Sequence, residues 1–369
     1  MIYPKIPLAQ SIIEICSAKG IHTIIISPGS RNAPLTIGFT QNPKFKCYSI
    51  ADERCAAFFA LGIAQQTKKP TAIVCTSGSA LLNYYPAVAE AFYSQIPLII
   101  ISADRPQNKI DIGDGQTIRQ QNVFQNHSVF NANLTEVASE ENDLKINKAI
   151  ETAIFQKGPV HINVPFEEPL YETVETLSVQ PKITNSDEII GSKSIENVEE
   201  FVSIWNSAKR KLVLTGVNEG DSIDKKTVEN LANDPSVVVL TETTSNLHHT
   251  NFINSIDTLI TPFDDADFKE FEPEILVTFG GMVVSKRIKG FLRKYKPQHH
   301  WHIDTLRAYD TFNALTKHFV MQPNDFFNDL LPKTIFVKSD YFNQINEVYQ
   351  RRKIKKQKYA QILTLSLCN

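Results

Sequence analysis

The acidic residue Glu53 stands where a carboxylate could do chemistry. A strand-like run stops at Ile50, and Asp52 is a suitable N-cap for the helix that follows. Residues 55–64 of this helix are apolar nearly all round, which predicts burial on most sides. Glu53 would then lie in the first turn of a buried helix. Position alone favours a structural role there, because acidic groups in first turns complement the helix dipole.

Three other polar stretches favour a functional role for Glu53. Residues 27–32 (SPGSRN), 76–80 (TSGSA) and 103–106 (ADRP) each follow an apolar, strand-like run. In a doubly wound sheet, the loops at the carboxyl ends of the strands gather at one edge, and ligands bind there. We therefore expect Glu53 and these three loops to meet at one crevice.

The elements that position these loops follow an alternating pattern in the first half of the chain. Strands are predicted at 22–27, 47–50, 71–75, 97–103 and 158–165, and helices at 9–19, 34–40, 53–66, 79–94 and 141–156. The polar residues 109–126 predict an active-site loop that runs into a helix. This alternation is typical of βαβ units and a parallel sheet.

A second α/β pattern follows a change of composition. From residue 166 the chain becomes rich in Glu, Pro, Ser and Thr without helical periodicity, which predicts a linker. Strands are then predicted at 211–215, 237–240, 275–279 and 301–304, and helices at 198–208, 223–233 and 285–294. The predicted fold class is α/β, with two doubly wound parallel-sheet domains at 1–170 and 196–335, a linker at 171–195 and a basic helical tail at 336–369.

Composition excludes several classes of protein. The net charge of -2 in 369 residues argues against a general nucleic-acid binder. The apolar runs are far shorter than the ~20 residues that span a bilayer, and the N-terminus lacks the features of a signal peptide. Five cysteines form no CxxC pair, and four lie in apolar context. Free buried thiols and a cytoplasmic location are therefore predicted. The helix predicted at 341–363 carries six basic residues, which predict a solvated face.

The ordered set of motifs resembles a known family. Residues 27–31, 52–54, 76–83, 103–106 and 118–120 together are similar to the pyrimidine-binding domain of thiamine-diphosphate enzymes. More narrowly, they resemble the 2-succinyl-5-enolpyruvyl-6-hydroxy-3-cyclohexene-1-carboxylate synthase family of menaquinone biosynthesis. The similarity continues more weakly into the second domain, at 279–281 and 286–287. Each short motif is weak alone, whereas the ordered set is specific.

The resemblance implies a catalytic role for Glu53. Its carboxyl group would hydrogen-bond the aminopyrimidine ring of thiamine diphosphate and favour the tautomer whose nitrogen removes the thiazolium proton. The family then decarboxylates 2-oxoglutarate and adds the remaining succinyl carbanion to isochorismate. Burial would raise the pKa of Glu53 and the helix N-terminus would lower it, and the sequence leaves open which effect is larger.

The resemblance also assigns further residues to the site. The cofactor would lie against Glu53 and small or rigid residues that permit a close approach, namely Pro28, Gly29, Thr76 and Gly78. The substrates carry several carboxylates, which arginine binds in bidentate fashion. Their implied partners are Ser30, Arg31, Arg105, Gln116, Lys286 and Arg287. The structural alternative is an ion pair for Arg105 and a solvated helix face for Lys286 and Arg287.

No metal ligand is assigned within this chain. In the family, a third domain with a Gly-Asp-Gly…Asn signature holds Mg²⁺ or Mn²⁺. We expect that domain to be missing here, so that the chain alone would bind thiamine diphosphate poorly and have no synthase activity. Residues 113–115 (GDG) and Asn142 imitate the signature, but residues 109–112 make a poor buried strand. His300 and His302 could share one strand face, but two ligands make a weak site, so we expect surface or interdomain histidines.

Three alternatives to this function remain. The first is another thiamine-diphosphate enzyme, related to acetohydroxyacid synthase or to 2-oxoacid decarboxylases, and Arg31 argues against it because substrates with several carboxylates need such a partner. The second is a dinucleotide-binding oxidoreductase, which the lack of a G-x-G-x-x-G motif opposes. The third is a non-catalytic binding or regulatory remnant. Because the family binds its cofactor between subunits, a homodimer or homotetramer is implied.

Overall fold

The computed structural model describes residues 1–185 and 194–367, with side chains described up to residue 359. The chain forms two compact units, unit 1 (Met1–Ile189) and unit 2 (Ile190–Asn369). Each unit is built on a parallel β-sheet with helices packed against it. The predicted α/β fold class is therefore confirmed. No helix in the described part of the chain is long and apolar enough to cross a bilayer.

The strands of unit 1 form one six-stranded parallel sheet and one short antiparallel pair. In chain order they are β1 (Tyr3–Pro4), β2 (Thr23–Ile26), β3 (Lys46–Ser49), β4 (Thr71–Cys75), β5 (Leu98–Asp104), β6 (Phe130–Asn133), β7 (Val160–Pro165) and β8 (Thr173–Val174). The large sheet has the order β3-β2-β4-β5-β7-β6, and β1 pairs with β8. Strands β4, β5 and β7 are buried along their whole length, as expected for parallel strands covered on both faces.

Helices cover both faces of this sheet. They are α1 (Pro7–Ala18), α2 (Ala33–Gln41), α3 (Glu53–Thr67), α4 (Ser79–Leu82), α5 (Tyr85–Tyr93) and α6 (Glu140–Phe155). Side chains of β2 alternate between two cores, because successive residues of a strand point to opposite faces. Ile24 and Ile26 pack with α1, α2 and α6, whereas Ile25 packs with α3 and α5.

Three details of unit 1 differ from the prediction. The helix predicted at 79–94 is divided into α4 and α5, and the loop predicted at 109–126 runs into a short 3₁₀ turn instead of an α-helix. Strand β6 was not predicted, because its sequence FNAN lacks an apolar run. Its register with β7 comes from backbone hydrogen bonds, which the side-chain pattern does not reveal.

The first part of the segment predicted as a linker (171–195) packs as part of unit 1. The backbone N–H of Ser178 donates to Gln10 Oε1 at 2.8 Å, and that of Thr184 donates to Asn147 Oδ1 at 3.1 Å. Both acceptors are fully buried side chains on α1 and α6. The remainder of the predicted linker lies mostly outside the described residues.

Unit 2 repeats the architecture with five parallel strands. They are β9 (Lys211–Thr215), β10 (Val237–Leu240), β11 (Ile275–Phe279), β12 (His299–Ile303) and β13 (Lys317–Phe319), in the order β10-β9-β11-β12-β13. Its helices are α7 (Val198–Ser207), α8 (Lys225–Asn233), α9 (Ile256–Ile260), α10 (Asp265–Phe271), α11 (Lys286–Lys294), α12 (Pro323–Leu330) and α13 (Tyr341–Leu367). The short elements α9, α10, α12 and β13 were not predicted.

Helix α13 is attached to unit 2 by its first turns. Tyr341, Ile345 and Tyr349 recur every four residues and are buried in the core of this unit. Beyond them, the basic side chains between residues 351 and 358 are exposed, apart from the half-buried Arg352. This agrees with the solvated face that the sequence predicted.

Candidate active site

Four loops of unit 1 lie side by side at one edge of the sheet. Strands β3, β2, β4 and β5 are consecutive neighbours and all run in the same direction. The residues that follow their carboxyl ends therefore share one edge, as in other doubly wound folds. Glu53 follows β3, and the loops 27–32, 76–78 and 105–106 follow the other three strands.

Glu53 is the first residue of α3 and is half-buried. The helix is capped by Asp52, whose Oδ1 accepts a hydrogen bond from the Cys55 N–H at 2.8 Å. Glu53 Oε2 accepts a hydrogen bond from Asn83 Nδ2 at 3.3 Å. Burial raises the pKa of the Cys75 thiol and of the Tyr84 hydroxyl, and the nearby Glu53 carboxylate adds to both effects. The Glu53 side chain, at the start of α3, is therefore close to residues 76–83.

Helix α3 is buried on one face only, so the prediction of burial on most sides was wrong. Alanines and Leu61 face the core, whereas Phe58 and Phe59 are each 43% exposed. Cys55, expected to be a buried thiol, is also exposed, although Cys16 and Cys75 are buried. Small residues allow α3 to pack closely on the sheet, and among the described residues its aromatic face remains partly exposed.

The turns after β2 and β4 are in contact at Gly29 and Thr76. A Cβ atom placed on Gly29 would lie 2.4 Å from Thr76 Cβ, so no larger residue fits without a shift. The Arg31 N–H donates to Thr76 Oγ1 at 3.3 Å, which joins the same two turns. Pro28 and Ser30 on the first turn are exposed at this edge.

Gly78 has a backbone conformation that only glycine adopts readily, with φ 88° and ψ -149°. A Cβ atom here would lie 3.1 Å from the carbonyl oxygen of Gln116. The side chain of Gln116 is exposed, and its backbone is also left-handed, with φ 54°. The Gly78 turn and the 107–119 loop therefore approach each other closely.

Arg31 and Arg105, the two arginines of unit 1 that were assigned to substrate, have protein partners. Arg31 is buried, and its Nη1 and Nη2 donate to the Phe166 carbonyl oxygen at 3.0 Å and to Glu168 Oε1 at 3.2 Å. Arg105 Nη1 lies 3.6 Å from Asp114 Oδ2, which is the ion pair considered as its structural alternative. The Arg105 Nε is buried without a hydrogen-bond partner, so this side chain retains donor capacity.

Lys286 and Arg287 belong to unit 2, whereas the other predicted site residues belong to unit 1. They are the first two residues of α11, capped by Ser285, whose Oγ accepts from the Ile288 N–H at 3.2 Å. Both side chains are exposed. Exposed cations in the first turn are unfavourable for the helix dipole, so the helix itself does not require them.

Sequence reasoning gave no individual role to several polar residues at this edge of the sheet. Asn83 bonds Glu53, and Gln120 Oε1 accepts from the Gly78 N–H at 2.7 Å. Asn163 and Asp104, on the neighbouring strands β7 and β5, share a hydrogen bond of 2.8 Å. The available signal was polarity within otherwise apolar strands, such as Asn163 in VHINVP.

Asn142 does not act together with the Gly-Asp-Gly sequence at 113–115 as a metal ligand would, because its side chain has other partners. Asn142 Nδ2 donates to the backbone oxygens of Thr135 and Val137, at 3.0 and 2.7 Å, which fixes the loop before α6. Across the described residues, no group of three or more histidine, cysteine, aspartate or glutamate side chains is arranged to hold a metal ion.

The histidines of β12, expected at the surface or between domains, lie within the sheet of unit 2. His300 Nε2 and His302 Nδ1 each lie 2.8 Å from Thr278 Oγ1 on the neighbouring strand β11. His300 is buried and His302 half-buried, and burial lowers the pKa of His300 to about 4. These polar groups satisfy one another across the sheet of unit 2.

Several known proteins are similar to this chain. Residues 6–132 match the family described as thiamine pyrophosphate enzyme, N-terminal TPP binding domain. A protein of Flavobacterium johnsoniae named 2-succinyl-5-enolpyruvyl-6-hydroxy-3-cyclohexene-1-carboxylate synthase is 81% identical over 360 residues, or 97% of this chain. The chain therefore resembles this synthase over nearly its whole length. Synthases of the same name from Flavobacterium psychrophilum and Christiangramia forsetii are 66% and 55% identical over 99% and 86% of this chain.

The synthase family resemblance extends through both units, whereas the cofactor-domain match lies within unit 1. The chain spans 65%, 66% and 59% of the lengths of these three curated relatives. The matched region 6–132 contains Glu53, the turns at Gly29 and Gly78, and the 107–119 loop. The part of unit 1 that resembles a thiamine-binding domain is therefore the part that carries the polar loops.

Proposed function

We propose that this chain carries the pyrimidine-binding part of a thiamine-diphosphate-dependent transferase. The observation that supports this best is the position of Glu53, half-buried at a helix start and bonded to Asn83. Beside it are two turns, at Gly29 and Gly78, where a Cβ atom would meet neighbouring atoms at 2.4 and 3.1 Å. The glycines allow a flat ring to approach the backbone closely, and the acid can exchange a proton with a nitrogen of that ring.

The residues present fit the aminopyrimidine end of thiamine diphosphate. Pro28, Gly29, Thr76 and Gly78 would lie against the ring, and Glu53 would exchange a proton with one of its nitrogens. Asn83 holds Glu53 Oε2, so Oε1 is left for that exchange. When bound, the cofactor supplies an electron-poor thiazolium that stabilises negative charge developing on a carbonyl carbon.

We propose 2-oxoglutarate and isochorismate as the substrates, in menaquinone biosynthesis. Arg105 has a buried Nε without a partner, which would donate to a substrate carboxylate, and Ser30 and Gln116 expose polar side chains on loops at the same edge of the sheet. The exposed side chains of Lys286 and Arg287 do not stabilise the first turn of α11, which suits a role toward an anionic substrate. Arg31 would act mainly by fixing the loop after β7, because its guanidinium already donates to Phe166 and Glu168.

The experiment measures carbon dioxide release by the purified whole protein with thiamine diphosphate and magnesium. The proposal predicts release from 2-oxoglutarate and formation of a succinylated product when isochorismate is added. Release from pyruvate instead would favour an acetohydroxyacid-synthase or decarboxylase relative. Cofactor binding without any release would favour a non-catalytic module, and absence of both would contradict the proposal.

We also propose that the protein works as a homodimer or homotetramer in the cytoplasm. Phe58 and Phe59 are exposed on the aromatic face of α3, and Leu82 of α4 is also 42% exposed. Exposed apolar patches of this kind mark interaction surfaces. Mg²⁺ or Mn²⁺ would accompany the cofactor diphosphate, with ligands from outside the described residues. Free cysteines in the described residues agree with a reducing compartment.

A further inference from the structure

An unbroken set of buried hydrogen bonds connects Asp104 to the Gly78 turn. Asn163 Nδ2 donates to Asp104 Oδ2 at 2.8 Å, and Gln120 Nε2 donates to Asn163 Oδ1 at 2.9 Å. The Gly78 N–H then donates to Gln120 Oε1 at 2.7 Å. All three side chains are at most 5% exposed. Water therefore cannot replace these bonds, and each amide must meet the correct partner.

The direction of these bonds follows from the carboxylate at one end. An ionised carboxylate only accepts, and the second oxygen of Asp104 is already used by the Arg105 N–H at 2.8 Å. Asn163 must therefore present its NH₂ group to Asp104 and its oxygen to Gln120. Gln120 must in turn present its NH₂ group to Asn163 and to the Ala103 carbonyl oxygen at 3.1 Å. Its carbonyl oxygen is thus the group that faces Gly78.

A second branch supports the same orientation of Asn163. Ser102 Oγ donates to Asn163 Oδ1 at 2.9 Å and lies 2.7 Å from His161 Nε2. Burial lowers the pKa of His161 to about 3, so its ring is neutral at physiological pH. Its Nδ1 is buried without a partner, which is less costly for a bare nitrogen than for an N–H. Nε2 therefore carries the proton and donates to Ser102.

The receiving end of this network is the turn proposed to touch the cofactor ring. Gly78 adopts φ 88° and ψ -149°, a region that costs energy and persists only when its surroundings impose it. Its N–H is held by Gln120, and its Cα faces the Gln116 carbonyl oxygen. The hydrogen bond to Gln120 is therefore the contact that fixes the position of the Gly78 backbone.

We propose that Gln120 is a positioning residue, whose carboxamide is oriented by Asp104 through Asn163 so that it holds the Gly78 turn in its ring-binding conformation. The link to the cofactor rests on the proposed function, whereas the control of the turn does not. Gln120 acts through Gly78 and is given no contact with substrate.

The test compares Gln120→Leu, Asp104→Asn and the double variant in the whole protein. Leucine removes the oxygen that Gly78 needs. Asparagine at 104 has the same shape but places an NH₂ group against either the Arg105 N–H or the Asn163 NH₂ group, which favours the flipped amides. Hydrogen exchange at the Gly78 amide and the affinity for thiamine diphosphate are measured for each variant.

We expect each single variant to speed Gly78 exchange and to weaken cofactor binding by roughly tenfold or more, the effect of one buried hydrogen bond. The double variant should be no worse than Gln120→Leu, because both changes act on the same bond. Asn147→Leu is the matched control. It removes a fully buried amide whose partners among the described residues are Asp143, Lys182 and Thr184, so it should lower stability and leave Gly78 exchange and cofactor affinity unchanged.

Unchanged Gly78 exchange in Gln120→Leu would overturn the proposal, and so would additive effects of the two changes. If Gln120→Leu fails to fold, Asp104→Asn still decides, because it does not touch Gly78 and yet should speed its exchange. If the wild-type protein binds no thiamine diphosphate, the proposed function fails, but the exchange data still test the control of the turn by Gln120.

Discussion

Replacing Gly29 by alanine should force apart the two turns that line the proposed ring site. The new Cβ would lie 2.4 Å from Thr76 Cβ, 2.7 Å from its Cγ2 and 2.9 Å from its Oγ1, whereas ordinary contact begins at 3.4 Å. Thr76 Cβ is bonded directly to the backbone and cannot rotate away. The turns must therefore separate by about 1 Å, and overpacking of this kind costs about 1–3 kcal/mol of stability.

The assay is urea denaturation together with calorimetric titration of thiamine diphosphate. We expect Gly29→Ala to lower the free energy of unfolding by about 1–3 kcal/mol and to weaken cofactor binding at least about tenfold. Gly62→Ala is the matched control, because a Cβ there meets no heavy atom within 4 Å and the residue lies inside α3. It should be neutral or stabilise by about 0.5–1 kcal/mol.

A second-site change tests whether the Thr76 contact is the cause. Thr76→Gly removes the three atoms that clash, so it should be less damaging in the Gly29→Ala background than in the wild type, with a coupling of at least about 1 kcal/mol. If Gly29→Ala is as stable as Gly62→Ala and binds the cofactor normally, the two turns are not in contact and the reasoning is refuted.

Asn83→Leu removes the amide that orients Glu53 Oε2, so kcat should fall about tenfold in steady-state assays while the thermal midpoint stays near that of the wild type. Because burial lowers the pKa of His300 to about 4, its contribution to stability is complete above about pH 6.5 and is lost as the pH falls toward 4. His300→Phe should flatten that part of the stability profile by up to about 3 kcal/mol in denaturation series, and an unchanged profile would argue against it. Phe59→Asp should dissociate the oligomer in light-scattering measurements, with Phe59→Tyr as control.

The elements beneath the site could be predicted because their signals are local. The run Thr23–Ile26 is followed by a proline–glycine turn, and Thr71–Cys75 by a threonine–glycine turn, so both strand ends are marked in the sequence. Asp52 signals the start of α3 in the same way, and the structure has it as the cap. Loops at the ends of parallel strands then meet as a consequence of topology.

The rest of the site depends on contacts between distant residues. Gln120 meets Gly78 across 42 residues and Asn163 across 43, and nothing in the local pattern of either stretch indicates a partner. Strand β6 was hidden because its pairing with β7 uses backbone groups, which carry no side-chain signal. The exposed face of α3 was misjudged because apolar periodicity shows that a face will be covered, and does not show whether the same chain covers it.

The most direct test of the account is the rate at which the thiazolium carbon of bound thiamine diphosphate exchanges its proton for deuterium. Proton NMR after an acid quench measures this rate for the wild type and for Glu53→Gln, whose amide has the same shape but cannot exchange a carboxyl proton. The account predicts that the variant binds the cofactor yet exchanges at least about a hundredfold more slowly. Equal rates in the two proteins would contradict the assignment of Glu53 as the acid of a thiamine-diphosphate site.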